Sequence, residues 1–288
     1  MNMVYHESVK NEINRVRSLG WVDTSTLDQG INLFEPHSSE LISFPEETYS
    51  PLDGNSEASN LWSQYRTQIV LDLLTDSNIS IIWEVGAGDG NMAIPLRDFG
   101  VFTVAIEPLS SGAKVLAKED FVVYQSTLES LNLPDNSLGA IGLFDVLEHL
   151  ENPENLLIEI RRILQPDGIL LTSVPAHGWL FSDFDVANGH FRRYSRKTLS
   201  HLLKKSGFNE NRIQYRFFFL VLPALFLRKI PYLLGNRRDF IEVRTTSLSQ
   251  NRLLNSFKGL LGLVLRLESR FNPPIGLSLF SKSSKKSC

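Results

Sequence analysis

Two carboxylates and a run of closely spaced glycines are the residues whose types and spacing could do chemistry. The chain reads Glu84-Val-Gly86-Ala-Gly88-Asp-Gly90 at the end of one apolar run, and Glu107 ends the next, seventeen residues beyond Gly90. Glycine lets a backbone approach a ligand closely, and a carboxylate after the second run can accept hydrogen bonds from two ribose hydroxyls. The combination predicts a nucleoside-binding site, whereas glycines alone would also fit a turn needed only for packing.

The glycine spacing bears on which nucleoside cofactor binds. Dinucleotide sites favour G-x-G-x-x-G, whereas this chain has G-x-G-x-G. Glu84 precedes the first glycine by two residues, and a carboxylate there would suit a cationic ligand better than a pyrophosphate. A nucleotide-dependent oxidoreductase is therefore disfavoured, but it stays open as an alternative.

The elements that must position these residues alternate between short apolar runs and helical patterns. The helical pattern is clearest from 153 to 164, where apolar residues recur at three- and four-residue spacing. Continuous apolar strands that alternate with helices indicate a parallel sheet covered on both faces. We therefore predict an α/β fold with a doubly wound, Rossmann-like sheet. Its first five strands are predicted at 79–85, 101–106, 121–124, 140–144 and 169–174.

Five motifs in order along the chain resemble those of the class I S-adenosylmethionine-dependent methyltransferases. The resemblance covers about residues 82–208. It implies a seven-stranded, mostly parallel sheet whose last strand is antiparallel. It also implies S-adenosyl-L-methionine as the cofactor and transfer of its methyl group to an acceptor. The motifs are Glu84–Gly90, Ala105–Pro108, Leu133–Ser137, Asp145–Leu150 and Leu164–Gly168.

The resemblance further implies which residues hold the cofactor. The first motif would hold the methionine end, Glu107 the ribose, and the loop after Tyr124 the adenine, while residues around Phe144 would flank the methionine. Many relatives carry an acidic residue near Ser126 and Thr127, where this chain has only hydroxyls. The predicted cofactor-binding residues are Glu84, Gly86, Ala87, Gly88, Gly90, Glu107, Pro108, Thr127, Leu128, Phe144 and Asp145.

An acceptor would meet the cofactor at the carboxyl ends of the fourth and fifth strands, where ligands bind in doubly wound sheets. The loop after the fifth strand contains imidazoles, carboxylates, arginines and aromatic rings. Its segment 189–194 is similar to one in methyltransferases of surface-glycan and lipid-linked sugar assembly. The predicted catalytic residues are His149, Asp185 and His190, and the predicted acceptor-binding residues are His177, Trp179, Arg192, Arg193 and Tyr194.

These residues also have purely structural interpretations. His190 and the arginines that follow it could tie the loop to the sheet or to the next helix, and His149 with Glu148 could form a polar cluster at a helix start. Arg66, before the glycine loop, could pair with the cofactor carboxylate or lie solvated on an amphipathic helix. The sequence leaves these alternatives open.

Charge is distributed unevenly along the chain, although the net charge is only −3. Residues 1–90 contain four Lys/Arg and fourteen Asp/Glu, whereas residues 212–270 contain eleven Lys/Arg and three Asp/Glu. The predicted organisation is an acidic N-terminal leader or lid at 1–60, a cofactor-binding domain at 61–210, a sixth strand with an apolar, basic helical cap at 211–275, and a last strand with a Lys-rich tail at 276–288.

The segment from 217 to 270 combines apolar runs with arginines and lysines. Its uncharged run of eleven residues at 217–227 is too short to span a bilayer, which needs about twenty residues. An apolar face with a basic rim is typical of a segment that lies in an anionic membrane interface. The alternative is an ordinary cap with 217–227 buried as core. Long aliphatic runs argue against a nucleic-acid partner.

The single cysteine and the N-terminal sequence bear on the compartment. Cys288 cannot form an internal disulfide or a cysteine-based zinc cage, so a reducing compartment and no metal site are expected. The first twenty residues lack the apolar core of a secretory signal, so we expect a cytoplasmic protein that is peripheral on the inner face of the membrane.

Together these features predict an enzyme that moves the methyl group of S-adenosylmethionine to a small lipid-linked or glycan-type acceptor. Transfer to an oxygen is favoured over transfer to nitrogen or carbon. A non-catalytic, membrane-associated protein that binds the cofactor remains the other alternative.

Overall fold

A computed structural model describes residues 2–33, 57–235 and 264–286, apart from 266 and 269. The strands are β1 Thr26–Asp28, β2 Ile31–Leu33, β3 Ile81–Val85, β4 Phe102–Ile106, β5 Val123–Gln125, β6 Leu138–Phe144, β7 Leu164–Pro175, β8 Phe208–Arg216 and β9 Ser278–Lys285. The helices are α1 Asn2–Ser18, α2 Glu57–Leu74, α3 Ala93–Asp98, α4 Ser110–Lys118, α5 Pro153–Ile163, α6 Asp183–Ala187, α7 Arg196–Lys205, α8 Val221–Ala224 and α9 Ile230–Leu233.

The described strands form one sheet in the order β1-β2-β5-β4-β3-β6-β7-β9-β8. Pairing is parallel from β2 through to β7 and antiparallel between β7, β9 and β8. The strand order reverses beside β3, and ligands bind at such a switch point, outside the carboxyl ends of the strands. The predicted doubly wound, Rossmann-like fold and its antiparallel last strand are confirmed. The sheet has nine described strands and not the predicted seven, because the β1–β2 hairpin adds two strands beside β5.

Apolar clusters cover both faces of the sheet, which explains why its central strands read as continuous apolar runs. Along β3, Trp83 and Val85 belong to one cluster and Ile82 to the other, because successive side chains of a strand point to opposite faces. The first cluster includes the apolar stripes of α1 and α5, and the second includes that of α2.

The N-terminal residues 2–33 pack against the sheet, which differs from the predicted leader or lid. Tyr5 on α1 is buried, and its hydroxyl donates to the Thr103 carbonyl at 2.9 Å and accepts from the Val122 N–H at 3.0 Å. β1 and β2 form a hairpin whose second strand pairs parallel with β5. Residues 34–56, the rest of the predicted lid, lie outside the described residues.

The segment after β8 forms short helices between 218 and 233, in the region predicted as a helical insertion before the last strand. Phe217 is fully buried and stacks on Trp62 at 3.9 Å between ring centroids. Glu268 accepts hydrogen bonds from the Tyr65 hydroxyl at 2.9 Å and the Phe218 N–H at 2.8 Å. Residues 236–263 lie outside the described residues. Within the described ranges, every helix is too short or too polar to cross a bilayer.

Candidate active site

A cavity of about 460 Å³ opens at the carboxyl ends of the central strands. The segments that follow β3, β4, β5 and β6 line it, together with one side chain of α2 and the start of α5. These lining segments are 84–89, 107–109, 126–129, 144–146 and 149–152. Ten of the eleven predicted cofactor residues are therefore brought together, and the exception is Gly90.

The glycine loop turns sharply and packs closely against its neighbours. Gly86 has a φ of +70°, and its N–H donates to the Ile106 carbonyl at 2.8 Å. A Cβ on Gly86 would lie 2.8 Å from a methyl group of Val146. Gly90 also has a positive φ, but a Cβ there would meet the side chains of Leu116 and Ile94, away from the cavity. Gly90 therefore does not line the cavity, its glycine serves backbone geometry and packing, and its contact with the cofactor stays a prediction.

Glu107, which follows β4, forms hydrogen bonds with the glycine loop. Its carboxylate accepts hydrogen bonds from the Gly88 N–H at 2.7 Å and the Leu109 N–H at 2.8 Å. A Cβ on Gly112 would lie 2.7 Å from the Gly88 carbonyl oxygen. The backbone of α4 therefore packs directly against the glycine loop beside this carboxylate. Burial raises the pKa of Glu107 to about 7, although both N–H groups favour the charged form.

Glu84 supplies a second buried carboxylate to the same cavity. It is 2% exposed, and its Oε2 has no hydrogen-bond partner among the described residues. Burial raises the pKa of Glu84 to about 8, while the guanidinium of Arg66 acts in the opposite direction. A buried carboxylate with one unpartnered oxygen favours a ligand that brings positive charge or hydrogen-bond donors.

Arg66 reaches into the cavity from α2. It donates hydrogen bonds to Asp145 Oδ2 and, at 3.0 Å, to Ser173 Oγ. Its side chain is only 14% exposed, so the interpretation of a solvated surface arginine is wrong. Asp145 follows β6 with a φ of +58° and accepts a further hydrogen bond from Ser173 Oγ at 3.1 Å.

The segment after β5, which is predicted to face the adenine, brings two hydroxyls to the cavity. Ser126 Oγ donates to the Thr127 carbonyl at 3.0 Å, and Thr127 Oγ1 lies 3.1 Å from Ser130 Oγ. Several lining residues were not among the predicted cofactor residues. Four of them, Val85, Asp89, Val146 and Leu150, lie within the motifs quoted above. The others are Asn91, Met92, Leu109, Ser126, Glu129, Glu151, Asn152, Asn155 and Leu156.

The predicted catalytic residues fall into two groups. His149 lines the cavity, and its ring lies edge-on to that of His190 with 4.7 Å between centroids. Asp185 is fully buried beneath them. Its carboxylate accepts hydrogen bonds from Arg193 Nε at 2.7 Å and from the Ser182 N–H at 2.9 Å, and its Oδ1 lies 2.9 Å from His190 Nδ1. These contacts fit a positioning residue, because full burial keeps Asp185 from direct contact with an acceptor in this geometry, and its part in catalysis stays a prediction.

The predicted acceptor-binding residues are mostly engaged within the protein. Arg193 is 4% exposed, and Tyr194 donates its hydroxyl hydrogen to the Leu147 carbonyl at 3.1 Å. Arg192 donates to the Glu151 carbonyl at 2.9 Å, and the ring of His177 stacks on Tyr215 at 4.9 Å. For Arg193 and Tyr194 this geometry fits the alternative of a loop tied to the sheet. Trp179, 47% exposed, is open to a ligand, and its contact with an acceptor stays a prediction.

The fold and the cavity together define a class I methyltransferase. Residues 58–211, just over half of the chain, match the methyltransferase domain family, and the chain belongs to that family. Two buried carboxylates fit S-adenosylmethionine as the cofactor: Glu84 would face a sulfonium or ammonium group, and Glu107 is predicted to face the ribose. Membership of this family supports S-adenosylmethionine as the cofactor and sets aside the oxidoreductase alternative.

Curated relatives match only part of the chain. A ubiquinone biosynthesis O-methyltransferase of Rickettsia canadensis is 30% identical over 132 residues, which are 42% of this chain and 55% of that protein. The corresponding enzyme of Rickettsia conorii is 33% identical over 98 residues, 32% of this chain and 34% of that protein. The chain thus matches about half or less of these relatives' own lengths.

Solved structures share the fold at low sequence identity. An S-adenosylmethionine-dependent methyltransferase of Thermotoga maritima superposes with a TM-score of 0.51 at 18% identity, over 82% of this chain and 96% of that one. A methyltransferase of Archaeoglobus fulgidus gives a TM-score of 0.51 at 15% identity, over 81% and 97%. These likenesses support the architecture alone.

Proposed function

We propose that this methyltransferase acts on an oxygen of a lipid-linked, amphiphilic acceptor at a membrane surface. The observation that carries the proposal is a set of exposed apolar side chains on the helical segment after β8, which we name the apolar ridge. Its members are between 59% and 79% exposed. They are Leu222, Phe226, Leu227, Leu233 and Leu234.

The apolar ridge is attached to the loop that follows β7, the predicted acceptor loop. Lys229 Nζ donates to the Phe181 carbonyl at 2.7 Å, and the Arg228 guanidinium lies 4.0 Å above the ring of Phe184. Beneath them, Leu180 packs with residues of α8 in a small apolar cluster. Large exposed apolar side chains grouped on one segment beside a site indicate a contact with a membrane, a ligand or a partner. Here the adjoining basic side chains favour a lipid surface.

Oxygen as the acceptor atom is supported by the relatives named as O-methyltransferases of ubiquinone biosynthesis. When bound, S-adenosylmethionine supplies a methyl group on a cationic sulfur: the acceptor oxygen bonds to that carbon, the carbon–sulfur bond breaks toward sulfur, and the hydroxyl proton passes to water. The protein's contribution is to orient the two reactants and to ease the loss of that proton.

The chain's own residues have separable parts in this reaction. Glu84 would hold the cationic end of the cofactor, and Glu107 would hold its ribose. His149 lies on the cavity wall, where it can orient an acceptor. Burial lowers the pKa of His149 to about 3, so its imidazole is neutral at pH 7 and a weak proton acceptor.

Radiolabelled methyl transfer tests the proposal directly. Two phenol probes, one with a long and one with a short alkyl chain, are offered with vesicles of phosphatidylcholine and phosphatidylglycerol. We expect the long-chain phenol to be methylated at oxygen at least tenfold faster, and the protein to float with the vesicles. Label on nitrogen acceptors only, or equal rates on the two phenols without flotation, would contradict the proposal.

A surface variant separates the apolar ridge from the cofactor cavity. Replacing Leu222, Phe226 and Leu234 together by Ser should abolish flotation and leave S-adenosylhomocysteine affinity unchanged. Met3→Ser with Val22→Ser is the matched control, because those side chains are 84% and 75% exposed on the N-terminal segment. Flotation lost equally in both variants would mean that exposed apolar area in general, and not the apolar ridge, causes membrane contact.

A further inference from the structure

Three side chains able to ligate a metal meet at the edge of the cofactor cavity. One ligand atom each from Glu148, His149 and His190 lies within 4.8 Å of the others. The first two follow β6, and His190 lies in the loop after β7, so the fold brings together residues about forty positions apart. His149 also lines the cavity. We name these three residues the His–Glu cluster.

Glu148 is the member whose environment most needs a cation. It is 1% exposed, and neither carboxylate oxygen has a hydrogen-bond partner from another described residue. A buried carboxylate in this state is stabilised by a directly bound positive charge.

His190 is oriented as metal-ligating histidines are. Its Nδ1 lies 2.9 Å from Asp185 Oδ1, and Asp185 is itself fixed by Arg193 Nε at 2.7 Å and the Ser182 N–H at 2.9 Å. Donation from Nδ1 to a carboxylate leaves Nε2 as a lone-pair donor, the usual arrangement of a histidine ligand with its supporting carboxylate. A supporting role for the His190 imidazole would explain why Asp185 and Arg193 are buried next to it.

We propose that the His–Glu cluster binds a first-row divalent cation such as Zn²⁺ or Mn²⁺. Metal bonds of about 2.1 Å place ligand atoms about 3 to 4 Å apart, so side-chain shifts of about 1 Å complete the site. Two imidazoles and one carboxylate leave coordination positions open, which is typical of catalytic metal sites. The expectation of no metal site rested on the lack of cysteine ligands, whereas the ligands of this cluster are two histidines and a glutamate.

A cation here would lie beside the acceptor side of the cavity. It could bind an acceptor hydroxyl and lower its pKa, so that the proton passes to water before methyl transfer. This assignment rests on the proposed O-methylation, because a nitrogen or carbon acceptor would not need it. Binding of the ion itself does not rest on that proposal.

Calorimetry with Zn²⁺ on the untagged, chelator-treated full chain tests the site, and the visible spectrum of Co²⁺ reports the ligands. We expect one ion per chain, and at least tenfold weaker binding in both Glu148→Gln and His190→Ala. His201→Ala is the matched control, because His201 is exposed on α7, and it should bind as the wild type does. Two variants are used because Glu148→Gln alters a buried position, whereas His190 is 10% exposed.

The outcomes separate this proposal from the proposed function. No ion bound by the wild type, or equal binding by wild type and both variants, overturns the metal site. So does binding of Mg²⁺ in preference to Zn²⁺ and Co²⁺, since imidazole ligands favour the latter two. S-adenosylhomocysteine titration in chelator checks that each variant retains its cavity. Oxygen methylation unaffected by chelator would remove the ion from catalysis and leave the proposed function standing.

Discussion

Arg66 and Asp145 are joined by a hydrogen bond across the floor of the cofactor cavity. Because Arg66 also donates to Ser173 on β7, one guanidinium links α2 to the ends of two neighbouring strands. It also acts on Glu84, whose pKa is raised to about 8 by burial and would be higher without this positive charge. The cationic part of the cofactor would therefore enter a site whose charge depends on pH.

Cofactor binding should release protons and weaken as the pH falls. A bound cation favours ionised Glu84, so its pKa drops from about 8 on binding, and the apparent affinity falls by up to about tenfold per unit below pH 8. Calorimetry of S-adenosylmethionine in buffers of different ionisation enthalpy measures the released protons.

The Glu84→Gln variant provides the matched comparison for this pH dependence. It should bind more weakly at pH 8 and show a flatter affinity profile between pH 6 and 8, with only the weaker contribution of Glu107 remaining. An unchanged profile in Glu84→Gln would assign the titration to another group.

Removing the Glu107 carboxylate should weaken S-adenosylhomocysteine binding by about 100-fold. The variant Glu107→Ala loses the ribose acceptor and also leaves the Gly88 and Leu109 N–H groups without their partner, and each charge-assisted hydrogen bond is worth about 1.5–3 kcal/mol. Calorimetric titration measures the change.

The control for Glu107 is Glu119→Ala, just after α4, where an exposed carboxylate lies 3.7 Å from Arg97. It should bind as the wild type does. Equal affinity in wild type and Glu107→Ala would mean that the ribose is held elsewhere.

Adding one methyl group at Gly112 should damage both stability and cofactor binding. Its Cβ would lie 2.7 Å from the Gly88 carbonyl oxygen and 3.1 Å from Glu107 Cγ, so the glycine loop must move. Gly112→Ala should lose about 1–3 kcal/mol of unfolding free energy, measured by urea denaturation.

Gly178→Ala serves as the comparison for Gly112. A Cβ on Gly178 meets nothing within 4 Å, so stability should be unchanged. Identical denaturation curves for wild type and Gly112→Ala would contradict the close approach of α4 to the loop.

Neutralising Asp185 should destabilise the protein much more than breaking a surface ion pair. Burial raises the pKa of Asp185, but hydrogen bonds from His190 and Arg193 outweigh it and hold the pKa below the usual range. Asp185→Asn leaves Arg193 buried without its counter-charge, at a cost of about 3–5 kcal/mol. Thermal and urea unfolding measure this cost.

Glu154→Gln is the surface control, because Glu154 pairs with Lys205 at 2.6 Å on a solvated face and should contribute about 1 kcal/mol or less. The stability that Asp185 adds is present at neutral pH and is lost as the pH falls through its carboxyl pKa. A wild-type advantage over Asp185→Asn that stays constant from pH 7 to pH 3 would contradict the ion pair.

Local sequence patterns were sufficient to predict the central strands and most of the residues that line the cofactor cavity. A strand that is buried on both faces has a continuous apolar sequence. A nucleoside site requires glycines and a carboxylate at the chain positions where strands end. The sequence could not show that Gly90 lies outside the cavity lining, because a packing glycine and a ligand-contacting glycine have the same sequence signal. Arg66 was underestimated because its partners, Asp145 and Ser173, are distant in sequence.

Elements whose stability comes from distant partners could not be predicted. β1 and β2 have three residues each, and their turn at Gln29-Gly30 lacks the Asn-Gly or Asp-Gly pair that usually marks a two-residue hairpin. Their strand character comes from β5, about ninety residues away. The pairing of Asp185 with Arg193 likewise depends on the path of a loop that no periodicity reports.

The placement of β2 against β5 has a consequence for how the sheet meets other molecules. With the hairpin present, the long parallel array ends in a three-residue strand, and such short edges resist strand addition by another chain. A chain that began at residue 34 would expose the backbone of β5 as well as the apolar surface beneath α1. We expect that shortened protein to self-associate even though every residue of the cofactor cavity is retained.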